Sequence, residues 1–346
     1  LYQQRAERYN EIITVLEVTM GVTIKDIAKA AGVSFSTVSK ALRDSPLVKE
    51  PTKKRITDIA MELGYQPNAA ARSLVSKKSH TIGIIWPTIE GTAHSSLITR
   101  LNTQLEQLSY TTLISINEKE FAINLFNRYQ VDAILCFDDN PERQADTPSA
   151  VPVVSYGIAD KGSSSPVVDV QRKKAVYMAT NYLSSIGHRF ISYIGVLNNP
   201  IQDEKAKGFK LAAEGLGLPG FTHQIVDVQK LEPYDGYVAA KEVLESGERP
   251  TAIISGSHDL SKGILRAAGE CGIKVPDDLS IISYDNLPDD SDTPIPLSTV
   301  GVPMDHITLR LTDVLMDVIN EDDIEKVLFL EPELKVTDSC RPPSNH

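Results

Sequence analysis

Between Ser34 and Lys40 the sequence reads SFSTVSK, which places four hydroxyls, one aromatic ring and one ammonium within seven residues. None of these groups suggests bond-making. Hydroxyls and ammonium groups exchange hydrogen bonds, and a phenyl ring offers apolar contact. At helical spacing Val38, Ala41 and Leu42 point inward, leaving Phe35, Ser36, Ser39, Lys40 and Arg43 outward. A short helix with such a face fits the major groove of B-DNA, where its N-terminal side chains reach base edges. The same pattern also suits an ordinary helical hairpin in a core. The remainder of the chain decides between them.

The elements around this helix favour the groove. Thr23 with Asp26 three residues on forms a capping box. Ile24, Ile27, Ala28 and Ala31 then share one face, and Gly32 stops the helix in a left-handed turn. Ser34 caps the second helix, so the pair reads as a helix-turn-helix. Pro51 opens a third helix with an apolar face of Ile56, Ile59, Ala60 and Leu63. Its first turn holds Lys53, Lys54 and Arg55, a placement the helix dipole disfavours and a facing phosphate would reward. The DNA-facing candidates here are Thr23, Ser34, Phe35, Ser36, Thr37, Ser39, Lys40 and Lys53. Residues 65–79, YQPNAAARSLVSKKS, are too short a helix to stand alone in water and read as a hinge that orders on a surface.

Charge distribution agrees. The 346-residue chain has a net charge of −11, yet residues 20–80 carry 11 Lys+Arg against 5 Asp+Glu, and residues 81–346 carry 22 against 38. A basic head on an acidic body is the footprint of a nucleic-acid module joined to something else. Cys136, Cys271 and Cys340 are too scattered for a metal site or a disulfide framework, which fits a reducing cytoplasm. No apolar run is long enough to span a membrane, and residues 1–20 do not read as a signal peptide. Residues 1–19 are read as an extension before a start at Met20. No nucleophile elbow, phosphate loop or dinucleotide fingerprint is present, so neither an enzyme nor a cofactor is expected.

From His80 the texture changes. Strand-like runs TIGIIWP, TTLISI, VDAILCF, VPVVSYG, VVDV, FISYIGV, HQIVDV, TAIISG, LSIISYD and VLFLE alternate with amphipathic helices. Such alternation predicts parallel sheets with right-handed crossovers. The Gly/Ser-rich stretch IADKGSSSP suggests passage from one sheet to a second. The expected fold is an all-α helix-turn-helix head plus an α/β core of two doubly wound parallel-sheet lobes. A ligand would bind beyond the strand C-termini, in the cleft between lobes.

Read together, these segments resemble the LacI/GalR family of bacterial transcription repressors. The resemblance is carried by TIKDIAKAAGVSFSTVSKAL, YQPNAAARSL, TIGII, GHRFISYIG, the Gly-Phe pair at 208–209, SHDLSKGILRAAGECGIKVPDDLSIISYDN and LSTV, all in order. It implies a head at 20–64, a hinge helix at 65–79, a first lobe of 80–158 with 287–322, and a second of 159–286 with 323–340. It also implies a homodimer on double-stranded operator DNA, with a small-molecule effector, a sugar or sugar derivative, between the lobes. The tail VTDSCRPPSNH shows no leucine heptads, so a dimer is expected rather than a tetramer.

By position, Phe35, Ser36 and Lys40 match base-reading residues, and Leu74 matches a minor-groove wedge, with Asn68 and Ala71 in the same hinge. Asp285 matches an effector-binding Asp, and Asp259 the Asp of an Asn-Asp pair in which His258 replaces Asn. Lys205 stands where an effector-binding Arg is usual, Leu231 where an aromatic is common, and Val302 where some members have Gln. Trp86, ending the first core strand, borders the cleft or packs beneath it. These departures leave the effector open. A non-sugar molecule or a phosphorylated partner protein are alternatives, as is, more remotely, a sugar-binding protein without a regulatory role. The basic head argues against the last. His188 reads as a loop or capping residue rather than a metal ligand.

Overall fold

Thr23 begins the first helix of the head as the capping box requires. Its N–H and Oγ1 both donate to Asp26 Oδ2, at 2.9 and 2.6 Å. Helix α1 runs Ile24–Ala31, α2 Phe35–Ala41 and α3 Glu50–Glu62. Between α1 and α2, Gly32 adopts φ 62°, a conformation Gly reaches cheaply. Ser34 Oγ accepts from Thr37 N at 3.2 Å and starts α2. Ile27, Ala31, Val38, Ala41, Val48, Ile56 and Ala60 close a small core under the three helices. Leu63, expected on the apolar face of α3, is instead exposed, because it is the C-cap and leaves the helical stripe.

The computed structural model describes residues 22–66, 78–138, 147–158, 165–197, 199–217, 222–287 and 293–344. The extension 1–19 and the hinge candidates Asn68, Ala71 and Leu74 lie outside them. The chain divides into two units, with the boundary between Ser79 and His80.

From His80 onward the order is β1 Thr81–Ile85, α4 Thr92–Gln107, β2 Thr111–Ser115, α5 Lys119–Tyr129, β3 Ala133–Asp138, β4 Val153–Gly157 and β5 Val167–Asp169. There follow α6 Arg172–Ser185, β6 Phe190–Gly195, α7 Pro200–Leu216, β7 Thr222–Asp227, α8 Pro233–Glu245, β8 Ala252–Ser255 and α9 His258–Glu270. The chain closes with β9 Ser280–Asn286, β10 Ser298–Pro303, α10 Met304–Asn320, β11 Val327–Phe329 and β12 Glu333–Lys335. Two six-stranded sheets result, ordered β11-β5-β4-β3-β1-β2 and β12-β10-β9-β8-β6-β7. The pairings are parallel except for β12 on β10. Val, Ile and Leu dominate the central strands because helices cover both faces of each sheet.

The expected lobe boundaries shift. Strand β5 pairs with β4, Ser155 opposite Val167, so the Gly/Ser-rich stretch joins two strands of one sheet. The chain first crosses after β5, at α6. It crosses again where β10 in the second sheet meets α10, whose Ile307, Leu311, Val314 and Leu315 fill the first lobe's core. The last crossing lies between β11 in the first sheet and β12 in the second. Strand β5 at 167–169 therefore does not open the second lobe, 298–303 does not belong to the first, and 327–329 does not belong to the second. Composition marks a loop but not which sheet the next strand joins. Strands β10 and β12 carry no clear strand pattern in the sequence. Gly301 and terminal Pro303 mask the first, and the short charged ELK the second.

Candidate functional site

In the head, α2 presents Phe35 with 55% of its surface exposed. Ser34 Oγ lies 2.9 Å from Ser36 Oγ and 2.8 Å from Thr37 Oγ1, so three hydroxyls form one linked edge at the helix start. Ser39 accepts from Arg43, through its carbonyl to Nε (3.0 Å) and its Oγ to Nη2 (3.1 Å). Lys40 is exposed and makes no ion pair with a described residue. Thr23 is less available, since its hydroxyl proton is engaged by Asp26.

Lys53 departs from its expected role. Its Nζ lies 2.6 Å from Asp44 Oδ1 and 3.5 Å from Glu50 Oε2, and the hydrogen bond to Asp44 raises its pKa. Glu50 at the helix start supplies the negative charge that the dipole wants, and Lys53 turns toward it and toward the α2–α3 loop. Arg55 is likewise engaged, donating to Ala31 O. In that turn the exposed Lys54 is the better candidate for phosphate.

In the core unit, the strand ends of the two sheets enclose a cleft of about 440 Å³. Five of the six expected effector residues line it: Trp86, Lys205, Leu231, Asp259 and Asp285, together with Val302. The sixth, His258, is buried at the start of α9. It approaches the site through its backbone N–H, 3.4 Å from Asp285 Oδ2, and its ring is not among the lining groups.

Lys205 is 3% exposed, where its helix α7 passes beneath the end of β9. Its Nζ donates to Gly256 O at 2.7 Å and lies 3.7 Å from the Tyr284 ring centroid. No carboxylate of a described residue reaches within 4 Å. Burial therefore lowers its pKa to about 7, partly opposed by Asp285 and reinforced by Arg172. Asp285 carries φ 83°, in the left-handed region that Asp and Asn enter more readily than most residues.

Trp86 is fully buried, with its ring against Phe137 (4.7 Å between centroids) and Tyr156 (5.9 Å). It both packs and borders the cleft. Its Nε1 has no hydrogen-bond partner among the described residues, and neither have His94 Nδ1 and Gln202 Oε1. All three residues line the cleft. A buried polar atom without a partner costs about 1–3 kcal/mol, and the three face the cleft from both lobes, Trp86 and His94 from the first and Gln202, on α7, from the second.

Arg172 is a cleft residue that no motif in the sequence singles out. It is 5% exposed at the first position of α6, donates from Nη1 to Gly157 O (3.1 Å) and lies 3.8 Å from Asp169. A cation in the first turn of a helix was the available signal, the same one that singled out Lys53. His94, Phe137, Tyr156, Gln202 and Tyr284 carried no such mark. His188 is structural, with Nδ1 2.8 Å from Thr251 Oγ1 and Nε2 3.0 Å from Arg341 O.

The buried amine gives a test that needs no ligand. Between about 7 and its ordinary 10.5, Lys205 is neutral when folded and protonated when unfolded. Unfolding then takes up a proton, so this residue makes stability rise with pH across that window. The melting temperature of the wild-type chain minus that of Lys205→Met should increase from pH 7 to pH 10. A difference independent of pH would show that Lys205 keeps its charge.

Among the described residues no helix is long and apolar enough to cross a membrane. Residues 23–68 match the family model described as bacterial regulatory proteins, lacI family, and residues 180–340 match a periplasmic binding protein-like domain. Catabolite control protein A of Priestia megaterium is 32% identical over 324 residues, covering 90% of this chain and 97% of that protein. The lac repressor dimer bound to operator and the anti-inducer ONPF superposes with a TM-score of 0.80 at 21% identity, over 92% of this chain and 99% of that one. A LacI family transcriptional regulator from Enterococcus faecium with bound ribose gives 0.66 at 22%, over 76% and 100%.

Proposed function

Since the chain belongs to the lacI family of bacterial regulatory proteins, we infer that it is a sequence-specific DNA-binding transcription repressor whose operator affinity is set by a small ligand in the core cleft. One observation carries this reading. The same chain holds a helix presenting Phe35, Ser36 and Lys40 to solvent and a two-lobed cleft lined by buried, incompletely satisfied polar groups. Ser34, Thr37 and Ser39 complete the groove-facing edge, and Lys54 joins it through phosphate. In this reading Asn68, Ala71 and Leu74 serve the hinge at the operator centre. The cleft binds and releases its ligand without converting it, and the protein acts in the cytoplasm, where the operator is.

The ligand is read as a small polyhydroxylated molecule, a sugar or sugar derivative. Asp285 accepts from hydroxyls, Lys205 and Arg172 donate, and Trp86 Nε1 and Gln202 Oε1 find complementary partners on the same molecule. Ribose bound to the Enterococcus faecium neighbour supports that class. Lys205 also suits an acidic or phosphorylated sugar, although a single ammonium lacks the bidentate fork of Arg.

Homodimerisation is supported by the edge strand β2 and its surroundings. Leu113, Ile114, Ile116 and Phe121 are all exposed there, and an exposed apolar sheet edge is ordinarily covered. Sedimentation of the full chain at low micromolar concentration should give the mass of two chains, and four would contradict it. A thermal-shift screen of sugars, sugar acids and sugar phosphates tests the ligand class. Stabilisation by a phosphorylated protein, with none by any small molecule, would favour the partner-protein alternative.

A further inference from the structure

Helix α4 starts without a cap of its own. Its N-cap position is Gly91, which has no side chain to receive the first N–H groups. The cap comes from the opposite lobe. Asp259, on α9, accepts from Thr92 N at Oδ2 (2.8 Å) and from Thr92 Oγ1 at Oδ1 (2.6 Å). Lys262, one turn further along α9, donates to Thr92 Oγ1 (3.3 Å) and lies 3.5 Å from Asp259 Oδ1. Gly91 sits at φ 86°, a conformation that side-chain-bearing residues rarely adopt.

The two helices belong to different cores. Leu97, Leu101 and Leu105 of α4 pack in the first lobe, and Leu260, Ile264 and Ala267 of α9 in the second. We propose that Asp259 caps α4 across the cleft and holds the lobes together, acting as a positioning residue of the ligand response rather than as a ligand contact. Although Asp259 lines the cleft, both of its oxygens are engaged and its side chain is 14% exposed. Separating the lobes removes two charge-assisted hydrogen bonds and returns the start of α4 to an uncapped state, where no local side chain replaces the lost acceptor. The contact is therefore made in one arrangement of the lobes only, which is the requirement for biasing an equilibrium between two.

The proposal rests on the proposed function only for what the lobe arrangement controls, and its test uses neither ligand nor DNA. Nitroxides are placed at Glu106→Cys on α4 and Glu242→Cys on α8, both exposed, in a Cys271→Ser/Cys340→Ser background. The labelled full chain is diluted into excess unlabelled protein so that distances within one chain dominate the dipolar signal. The intact latch should give one narrow distance. Asp259→Ala should shift the population about tenfold or more toward a longer, broader one. Thr92→Val keeps the N–H bond and loses the hydroxyl, and should fall between. Asp259→Asn keeps one acceptor oxygen and should also be intermediate. If Asp259→Ala does not fold, Thr92→Val carries the test alone. A Thr92→Val or Asp259→Ala distribution that superposes on the wild type overturns the proposal. A ligand-contact role for Asp259 predicts that unchanged result, so the two roles separate without knowing the ligand.

Discussion

Replacing Lys40 by Ala should weaken operator binding by about 1–3 kcal/mol per half-site, and by about twice that for a dimer on a two-fold symmetric site. The loss should concentrate on one base pair per half-site. Lys40 is exposed on α2 beside Phe35 and Ser36, with no ion pair to a described residue competing for its ammonium. A lysine in the groove donates to guanine O6 and N7, so removing it relaxes the preference at that position as well as the affinity. Lys54→Ala should behave differently. It should weaken all sequences alike and reduce the salt slope by about one unit, as loss of a phosphate contact does. Lys53→Ala should change head stability rather than the salt slope, because its partners are Asp44 and Glu50. Competition titrations on operator and random duplexes at several salt concentrations separate the three. An equal loss on both DNAs for Lys40→Ala would remove it from base reading.

Asp285→Asn should abolish most of the ligand response while leaving ligand-free operator affinity unchanged. Asn is the right substitution because residue 285 sits at φ 83°, which Asn tolerates better than Ala. The change removes the charge that strengthens hydrogen bonds from ligand hydroxyls, and with it the charge that partly opposes the lowering of the Lys205 pKa, so Lys205 is more fully neutral in the variant. A hydrogen bond to a charged group contributes about 1.5–3 kcal/mol, so ligand affinity should fall roughly ten- to a hundredfold. Isothermal titration with whichever compound the thermal screen identifies reads this directly. Unaltered affinity would place the ligand elsewhere than the cleft.

What the sequence disclosed follows from how local each signal is. The capping box of Thr23 and Asp26, the Gly32 turn and the Ser34 cap each act within a few residues, and all were legible. So were ten of the twelve strands among the described residues, because two-sided burial writes an apolar run into each. Which sheet β5, β10 and β11 join depends on pairing partners that no local pattern records, even where the partner is as near as β4 is to β5. Lys53 and Asp259 show the same limit at single residues. Their types suggested a phosphate and a ligand, but each found a protein partner first, and Thr92 lies 167 residues from Asp259. Arg172 was obscured because nothing in QRKKAV shows which of its cations will be buried.

This chain, as a homodimer, is expected to read a two-fold symmetric DNA sequence through α2. The most direct test is selection of duplexes from a random library by the full-length protein, followed by sequencing of the bound fraction. The bound fraction should show an enriched pseudo-palindrome, a half-site position that loses its preference in Lys40→Ala, and release or strengthening of the selected duplex by the cleft's ligand in the wild type but not in Asp285→Asn. Recovery of no common sequence, with binding that falls with salt equally for every duplex, would contradict it.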